Sequence, residues 1–164
     1  MSEGPNVPGG PPYVAVIGSG DPDGQRDHLA EAVGRELAEH GAVLICGGLG
    51  GVMEATCRGA REAGGTTVGL LPGDDRADAN PHVAVAIPTG MGELRNGLIV
   101  RAAQAVIAVG GGYGTLSEIG FALRTGRRVI GLGTWELARG GEADEGIEVV
   151  RDPAEAVRRA LEPR

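Results

Sequence analysis

Short apolar runs alternate with amphipathic segments along most of this chain, and glycines separate one from the next. Residues 13–17 form an apolar run of strand length, and Val33 and Leu37 recur at helical spacing in the segment 27–39 that follows. The alternation continues to Pro153, which suits the first turn of a final helix. The same pattern predicts further strands at 42–46, 66–71, 82–87, 105–109, 128–132 and 147–150, and further helices at 53–63, 92–103 and 115–125.

Strands that alternate with helices, with nearly continuous apolar strand runs, are typical of a parallel sheet covered on both faces. We therefore predict an α/β fold, a single-domain, doubly wound parallel sheet of Rossmann-like type, over residues 13–164. Residues 1–12 are rich in proline and glycine and poor in apolar side chains, which predicts a disordered tail. Ligands of such sheets bind outside the carboxyl ends of the strands, and three glycine clusters lie at such ends.

All fifteen basic residues are arginine, so the chain has no lysine. Schiff-base chemistry through a lysine and a P-loop ATPase are therefore excluded. The formal net charge of −7 disfavours a nucleic-acid partner, which would require a basic face. The chain has no apolar stretch of membrane-spanning length and no charged-then-apolar leader, so we expect a cytoplasmic protein without a membrane partner.

Cys46 and Cys57 lie eleven residues apart, a spacing that indicates neither a metal site nor a disulfide framework. We expect both thiols to be buried as small apolar side chains. We also expect the site to hold no metal. The single tryptophan, Trp135, follows the strand predicted at 128–132, where it could cover a pocket or lie at a dimer interface.

The most informative stretch is 110–118, GGGYGTLSE, which joins a predicted strand to a predicted helix. Backbone N–H groups at such a turn converge on one point, and the helix N-terminus adds positive potential there. The stretch predicts a site for a phosphorylated small molecule. The candidate phosphate-binding residues are Gly111, Gly112, Tyr113, Gly114 and Thr115.

A second interpretation of the same stretch is structural. Thr115 and Glu118 have the spacing of a capping box, in which the threonine caps the helix and the glutamate binds back to the cap. Arg95, near the start of the preceding predicted helix, favours the functional interpretation. Both helices begin near the carboxyl ends of strands, so Arg95 and Glu118 can face one crevice, and arginine suits phosphate or carboxylate.

The two earlier glycine clusters are weaker signals. Gly18 and Ser19 precede a helix, but the glycine spacing has one residue too many for the dinucleotide fingerprint, and the second predicted strand lacks its acidic residue. Gly18 and Ser19 therefore either contact a ligand or form a tight turn between strand and helix. The cluster at 47–51 has more glycines than a turn requires, which predicts a close approach of backbone to a ligand. Its candidate ligand-binding residues are Gly47, Gly48, Gly51 and Met53.

The stretch GGGYGTLSE resembles the PGGxGTxxE signature of the Lonely-guy phosphoribohydrolases, and CGGLGGVME resembles their earlier glycine-rich turn. The resemblance covers roughly residues 13–132 and is closest to a short branch that includes molybdenum-cofactor carrier-like proteins. It implies a Rossmann-like homodimer in which Arg95 and Glu118 act in N-glycosidic hydrolysis, and in which Thr115 and the preceding glycines bind phosphate. Gly110 replaces the signature proline, and Asn96 replaces the lysine that follows the family arginine.

Two functional hypotheses follow. The first is hydrolysis of a nucleoside 5′-monophosphate to free base and ribose 5-phosphate, with Arg95 and Glu118 as catalytic residues and no metal or cofactor required. The second is a non-catalytic protein that binds or carries a nucleotide or a molybdopterin-type cofactor. The change at Asn96 favours the second. The resemblance includes proteins often labelled lysine decarboxylases, but the absence of lysine argues against pyridoxal-phosphate chemistry here.

Overall fold

A parallel sheet of seven strands, with helices on both faces, forms the body of the protein. The computed structural model describes residues 8–163. The strands are β1 Tyr13–Gly18, β2 Val43–Cys46, β3 Thr66–Leu71, β4 Val85–Pro88, β5 Ala105–Val109, β6 Arg128–Leu132, β7 Leu137–Arg139, β8 Glu142–Asp144 and β9 Ile147–Val150. The helices are α1 Gly24–Glu39, α2 Val52–Glu62, α3 Asn96–Ala102, α4 Tyr113–Arg124 and α5 Pro153–Leu161. The predicted α/β class is confirmed.

The order of strands across the sheet is β4-β3-β2-β1-β5-β6-β9. The chain first builds outward from β1 to β4 and then returns to the other side of β1 with β5. This reversal leaves a crevice between the carboxyl ends of β1 and β5, which is where ligands bind in sheets of this type. The order of the strands alone therefore predicts one position for a binding site.

Apolar side chains bury both faces of the sheet. Helices α1, α2 and α5 pack on one face, and α3 and α4 pack on the other. Close helix packing accounts for some of the glycines: a Cβ on Gly34 of α1 would overlap the carbonyl oxygen of Thr56, and a Cβ on Gly59 of α2 would overlap that of Glu31. These two helices can therefore approach to backbone contact.

The boundaries differ from the predicted ones at several places. Strand β4 begins at Val85 instead of residue 82. Before it, the Thr67 hydroxyl donates to the carbonyl oxygen of His82 and accepts from the N–H of Ala84. The helix predicted at 92–103 begins as a 3-10 turn, Gly92–Arg95. The short antiparallel hairpin of β7 and β8 was not predicted.

The predicted tail, 1–12, lies mostly outside the described residues. Of its described part, the carbonyl oxygen of Pro12 accepts a hydrogen bond from the N–H of Val43 at the start of β2. Within residues 8–163, no helix combines the length and apolar character needed to cross a membrane.

Candidate ligand-binding site

A cavity of about 260 Å³ opens at the crevice between β1 and β5. The ends of β1 and β2 and the first turns of α2, α3 and α4 form its walls. Most of the predicted site residues line it: Gly18, Ser19, Gly47, Met53, Arg95, Gly112, Gly114, Thr115 and Glu118. The structure therefore brings together side chains that are up to a hundred positions apart in the sequence.

Four predicted residues lie outside the cavity lining, and three of them are glycines with positive φ. Gly48 packs against the side chain of Leu71, Gly51 packs against backbone of the turn after β1, and Gly111 packs against the side chain of Thr115. Their close approaches are to the protein itself, so these glycines shape the turns that surround the cavity. The fourth, Tyr113, is 82% exposed and lies in the chain between the lining residues Gly112 and Gly114.

The cap of α4 differs from the capping-box interpretation. Gly112 is the N-cap residue and Thr115 is the third residue of the helix, so Thr115 does not cap it and the capping-box interpretation is wrong. The N–H of Leu116 donates to the carbonyl oxygen of Gly112. The N–H groups of Tyr113, Gly114 and Thr115 therefore have no acceptor within the helix. Together with the helix dipole, they form a seat for an anion at the edge of the cavity.

Arg95 is a buried cation fixed by the ends of two strands. Its side chain is only 7% exposed. Nε donates to the carbonyl oxygen of Leu70 at 2.7 Å, Nη2 donates to that of Gly47 at 3.4 Å, and Nη1 donates to Oδ1 of Asn96. A guanidinium carries five N–H donors, so these three bonds leave one donor on each terminal nitrogen. The protein thus holds the group still and leaves two donors for a ligand.

Gly47 is the residue that makes room for Arg95. A Cβ at this position would lie 2.8 Å from Nη2 of Arg95 and 2.6 Å from Sδ of Met53. The glycine at position 47 thus has a physical cause, which is the seating of Arg95 and Met53 against the end of β2. A side chain at position 47 would displace the guanidinium from the cavity wall.

Glu118 lies one turn after Thr115 on the cavity face of α4 and is 8% exposed. Burial raises the pKa of its carboxyl to about 7, although the nearby charge of Arg95 lowers it in part. Burial also lowers the pKa of Arg95, against the opposing effect of Glu118. No ion pair joins the two among the described residues. Near pH 7 the Glu118 carboxyl is close to its pKa. It can donate a hydrogen bond to a ligand when it is protonated and accept one when it is ionised.

Asn80 holds the glycine turn after β2 and was not predicted. Its N–H donates to the carbonyl oxygen of Gly48, its Nδ2 donates to that of Leu49 at 2.9 Å, and its Oδ1 accepts from the N–H of His82. Its position in a polar loop gave no signal in the sequence. Asn96, in contrast, was singled out in the sequence as the residue that follows Arg95, and it lines the cavity.

The two cysteines are buried, as predicted, and their Sγ atoms lie 3.4 Å apart. Sγ of Cys46 also accepts from the N–H of Gly48 at 3.3 Å, which helps to hold the turn beneath Arg95. The bond to Cys46 and burial raise the pKa of the Cys57 thiol. The pair contributes to packing beneath the site.

Comparison with known proteins gives the family. Residues 11–157 match the SLOG cluster4 family over most of the chain. The chain belongs to the SLOG cluster4 family. A protein of Archaeoglobus fulgidus is 44% identical over 144 residues, which cover 88% of this chain and 91% of that relative.

Solved structures of this fold include proteins that bind the molybdenum cofactor. The molybdenum cofactor binding protein of Rippkaea orientalis is 30% identical with a TM-score of 0.81, and the alignment covers 90% of this chain and 94% of that one. The molybdenum cofactor carrier protein of Chlamydomonas reinhardtii is 33% identical with a TM-score of 0.78, covering 92% and 98%. These relatives confirm the Rossmann-like fold and the branch that the resemblance indicated.

Glu118 should make the stability of the protein depend on pH. Its pKa is about 7 in the folded state, against an ordinary value of 4.5, so folding favours the protonated form. The free energy of unfolding should therefore fall as the pH rises from about 4.5 to about 7, by about 2–3 kcal/mol from this group. Glu118→Gln removes this dependence and should become more stable than the wild type above pH 7.

Urea denaturation at pH 5 and pH 8 measures the effect. Glu39→Gln, at an exposed position at the end of α1, controls for the loss of one negative charge. If the free energy of unfolding changed equally between pH 5 and pH 8 in the wild type and in Glu118→Gln, burial would not be destabilising the Glu118 carboxylate.

Proposed function

We propose that this protein binds a phosphorylated, pterin-type cofactor, the molybdenum cofactor, and carries it without cleaving it. The observation that carries the proposal is the anion seat at the start of α4, facing the buried Arg95 across one cavity. Two solved relatives with this fold are a molybdenum cofactor binding protein and a molybdenum cofactor carrier protein. In this chain the cofactor would be cargo.

The charges of the cavity support an anionic ligand even though the whole chain is acidic. The lining contains one arginine and the positive end of α4, and its one carboxyl group, Glu118, has a pKa raised to about 7. A phosphate would accept hydrogen bonds from the N–H groups of Tyr113, Gly114 and Thr115. The two remaining donors of Arg95 and the carboxyl of Glu118 would bind polar atoms of the rest of the ligand.

Gly114→Asp should weaken binding of the phosphorylated ligand without harming the fold. A Cβ at Gly114 has open space around it, and an acidic residue in the first turn stabilises a helix. The same carboxylate would repel a bound phosphate, so we expect the affinity to fall roughly tenfold or more.

Gly114→Asn has nearly the same shape without the charge and serves as the matched control. Isothermal titration with the molybdenum cofactor under anaerobic conditions measures the affinity of each variant. Equal affinities of the Asp and Asn variants would show that the phosphate does not sit at the start of α4.

Hydrolysis of a nucleoside 5′-monophosphate is the second candidate. It is favoured by the burial of Arg95 and Glu118 in one cavity beside the phosphate seat. In this reaction the bond from C1′ to the base nitrogen breaks, water supplies the new oxygen on C1′, and its protons leave with the base and the sugar. The transition state resembles an oxocarbenium ion, which the Glu118 carboxylate would stabilise. Arg95 would position the substrate.

Product detection separates the two candidates. A carrier releases no free base and no ribose 5-phosphate from any nucleoside 5′-monophosphate, and its Glu118→Gln variant changes only binding. We expect this result for the purified wild type. Free base and ribose 5-phosphate from the wild type, with at least a hundredfold loss of rate in Glu118→Gln, would establish the hydrolase instead.

We also propose that the protein forms a homodimer through the surface around the start of α3. Leu94, immediately before Arg95, is 79% exposed, and Met91 and Leu98 are exposed beside it at helical spacing. Three large apolar side chains on one short surface indicate an interface. The second copy would then cover the outer side of the segment that carries Arg95.

Leu94→Asp should convert the dimer to a monomer, because a carboxylate buried in an apolar interface is strongly unfavourable. Val149→Asp, at an exposed apolar position on the edge strand β9, is the matched control and should leave the dimer intact. Sedimentation velocity gives the mass directly. A wild type that sediments as a monomer of 16.6 kDa would contradict the proposal.

A further inference from the structure

We propose that Tyr113 and Trp135 form an aromatic platform that stacks the fused heterocyclic ring of the ligand at the mouth of the cavity. The inference rests on the proposed function, since it assumes a phosphorylated ligand at the start of α4. The ring would be a flat bicyclic heterocycle of the purine or pterin type. It would bind at a subsite outside the cavity lining.

The chain has few aromatic residues to place. It contains one tryptophan, one phenylalanine and two tyrosines. Two of these four, Tyr113 and Trp135, lie together with their ring centroids 5.5 Å apart and their planes tilted by 38°. The ring of Tyr113 is exposed although the core lacks large side chains, so burial does not account for its position.

The platform is attached to the phosphate seat by hydrogen bonds. Nε1 of Trp135 donates to the carbonyl oxygen of Gly112 at 3.1 Å, and Gly112 is both the N-cap of α4 and part of the cavity lining. The hydroxyl of Thr134 donates to the carbonyl oxygen of Gly110 at 2.5 Å, and the N–H of Gly110 donates to that of Leu132. These three bonds hold the segment after β6 against the turn after β5.

The topology explains why the two rings meet. Strands β5 and β6 are neighbours and parallel, so their carboxyl ends lie at the same edge of the sheet. Tyr113 is the first residue of the helix after β5, and Trp135 follows the end of β6. Both rings therefore stand at the edge where the ligand binds.

The distance between seat and platform suits a compact phosphorylated ligand. Tyr113 supplies both a backbone N–H to the phosphate seat and a ring to the platform, so the two are separated by no more than the length of one tyrosine side chain. A short sugar or side chain between phosphate and heterocycle spans this gap. Stacking on an aromatic ring tolerates any flat base, because every base has a π-face. The platform thus selects for a ring without choosing between purine and pterin.

Affinities for ligands with and without a ring test the platform. Isothermal titration would compare guanosine 5′-monophosphate, neopterin phosphate and ribose 5-phosphate, which share the phosphate and differ in the ring. In Tyr113→Ala we expect the affinities for the two ring-bearing ligands to fall roughly tenfold and that for ribose 5-phosphate to stay the same. Tyr113→Phe keeps the ring and should restore binding.

Trp135 gives an independent readout because it is the only tryptophan. Its fluorescence should be quenched by guanosine 5′-monophosphate or neopterin phosphate and not by ribose 5-phosphate. Binding of all three ligands with equal affinity, or an equal loss for all three in Tyr113→Ala, would overturn the platform while leaving the phosphate seat. A change of oligomeric state in Tyr113→Ala would assign the ring to a protein interface instead. Failure of all three ligands to bind the wild type would overturn the platform, whereas the titration with the molybdenum cofactor tests the proposed function separately.

Discussion

The seating of Arg95 on the ends of two strands is the interaction on which the site depends. A buried guanidinium is unfavourable unless its N–H groups find acceptors, and here the carbonyl oxygens of Leu70 and Gly47 provide them. Gly47 directly follows the last residue of β2, and Leu70 is the next-to-last residue of β3, so both acceptors lie at the carboxyl edge of the sheet. Gly47 has no side chain because a Cβ would collide with the guanidinium. The buried guanidinium of Arg95 therefore requires a glycine at position 47 and shapes this wall of the cavity.

The cavity balances its charges in a way that favours binding of an anion. Arg95 and the first turn of α4 bring positive potential, and the single carboxyl opposite them is destabilised as an anion by burial. Because Arg95 and Glu118 do not pair within the described residues, both keep hydrogen-bonding capacity for a ligand. Arg95 is thus held in place by the protein and keeps two N–H donors that its bonds to the protein do not use.

A carrier and a hydrolase would both use Arg95, Glu118 and the start of α4. They would differ in the role of Glu118. A carrier needs this group to hold a polar atom of its cargo, whereas a hydrolase needs the carboxylate beside a developing positive charge. Asn96 bears on this difference, because its side-chain oxygen accepts from Arg95 at the position where the phosphoribohydrolase pattern has a lysine. That exchange removes a positive charge and adds a bond that fixes Arg95. Two solved relatives are a molybdenum cofactor binding protein and a molybdenum cofactor carrier protein.

The sequence by itself determined the α/β class, the parallel sheet and most of the residues that line the cavity. Strand and helix periods are local properties, and GGGYGTLSE is a local signal for a glycine-rich turn from a strand into a helix. The same local reasoning could not decide whether Thr115 capped a helix, because the true cap, Gly112, depends on how β5 leads into α4. It also could not explain the glycines at 47–51, whose neighbours come from distant parts of the chain.

Tertiary structure alone decided which groups meet. Asn80 reaches the glycine turn from a loop some thirty residues away, and Trp135 meets Tyr113 because β5 and β6 are adjacent in the sheet. The raised pKa of Glu118 likewise comes from burial, which no window of sequence contains. Periodicity reports how each segment folds against a core, but contacts between segments follow from strand order, and strand order is a property of the whole chain.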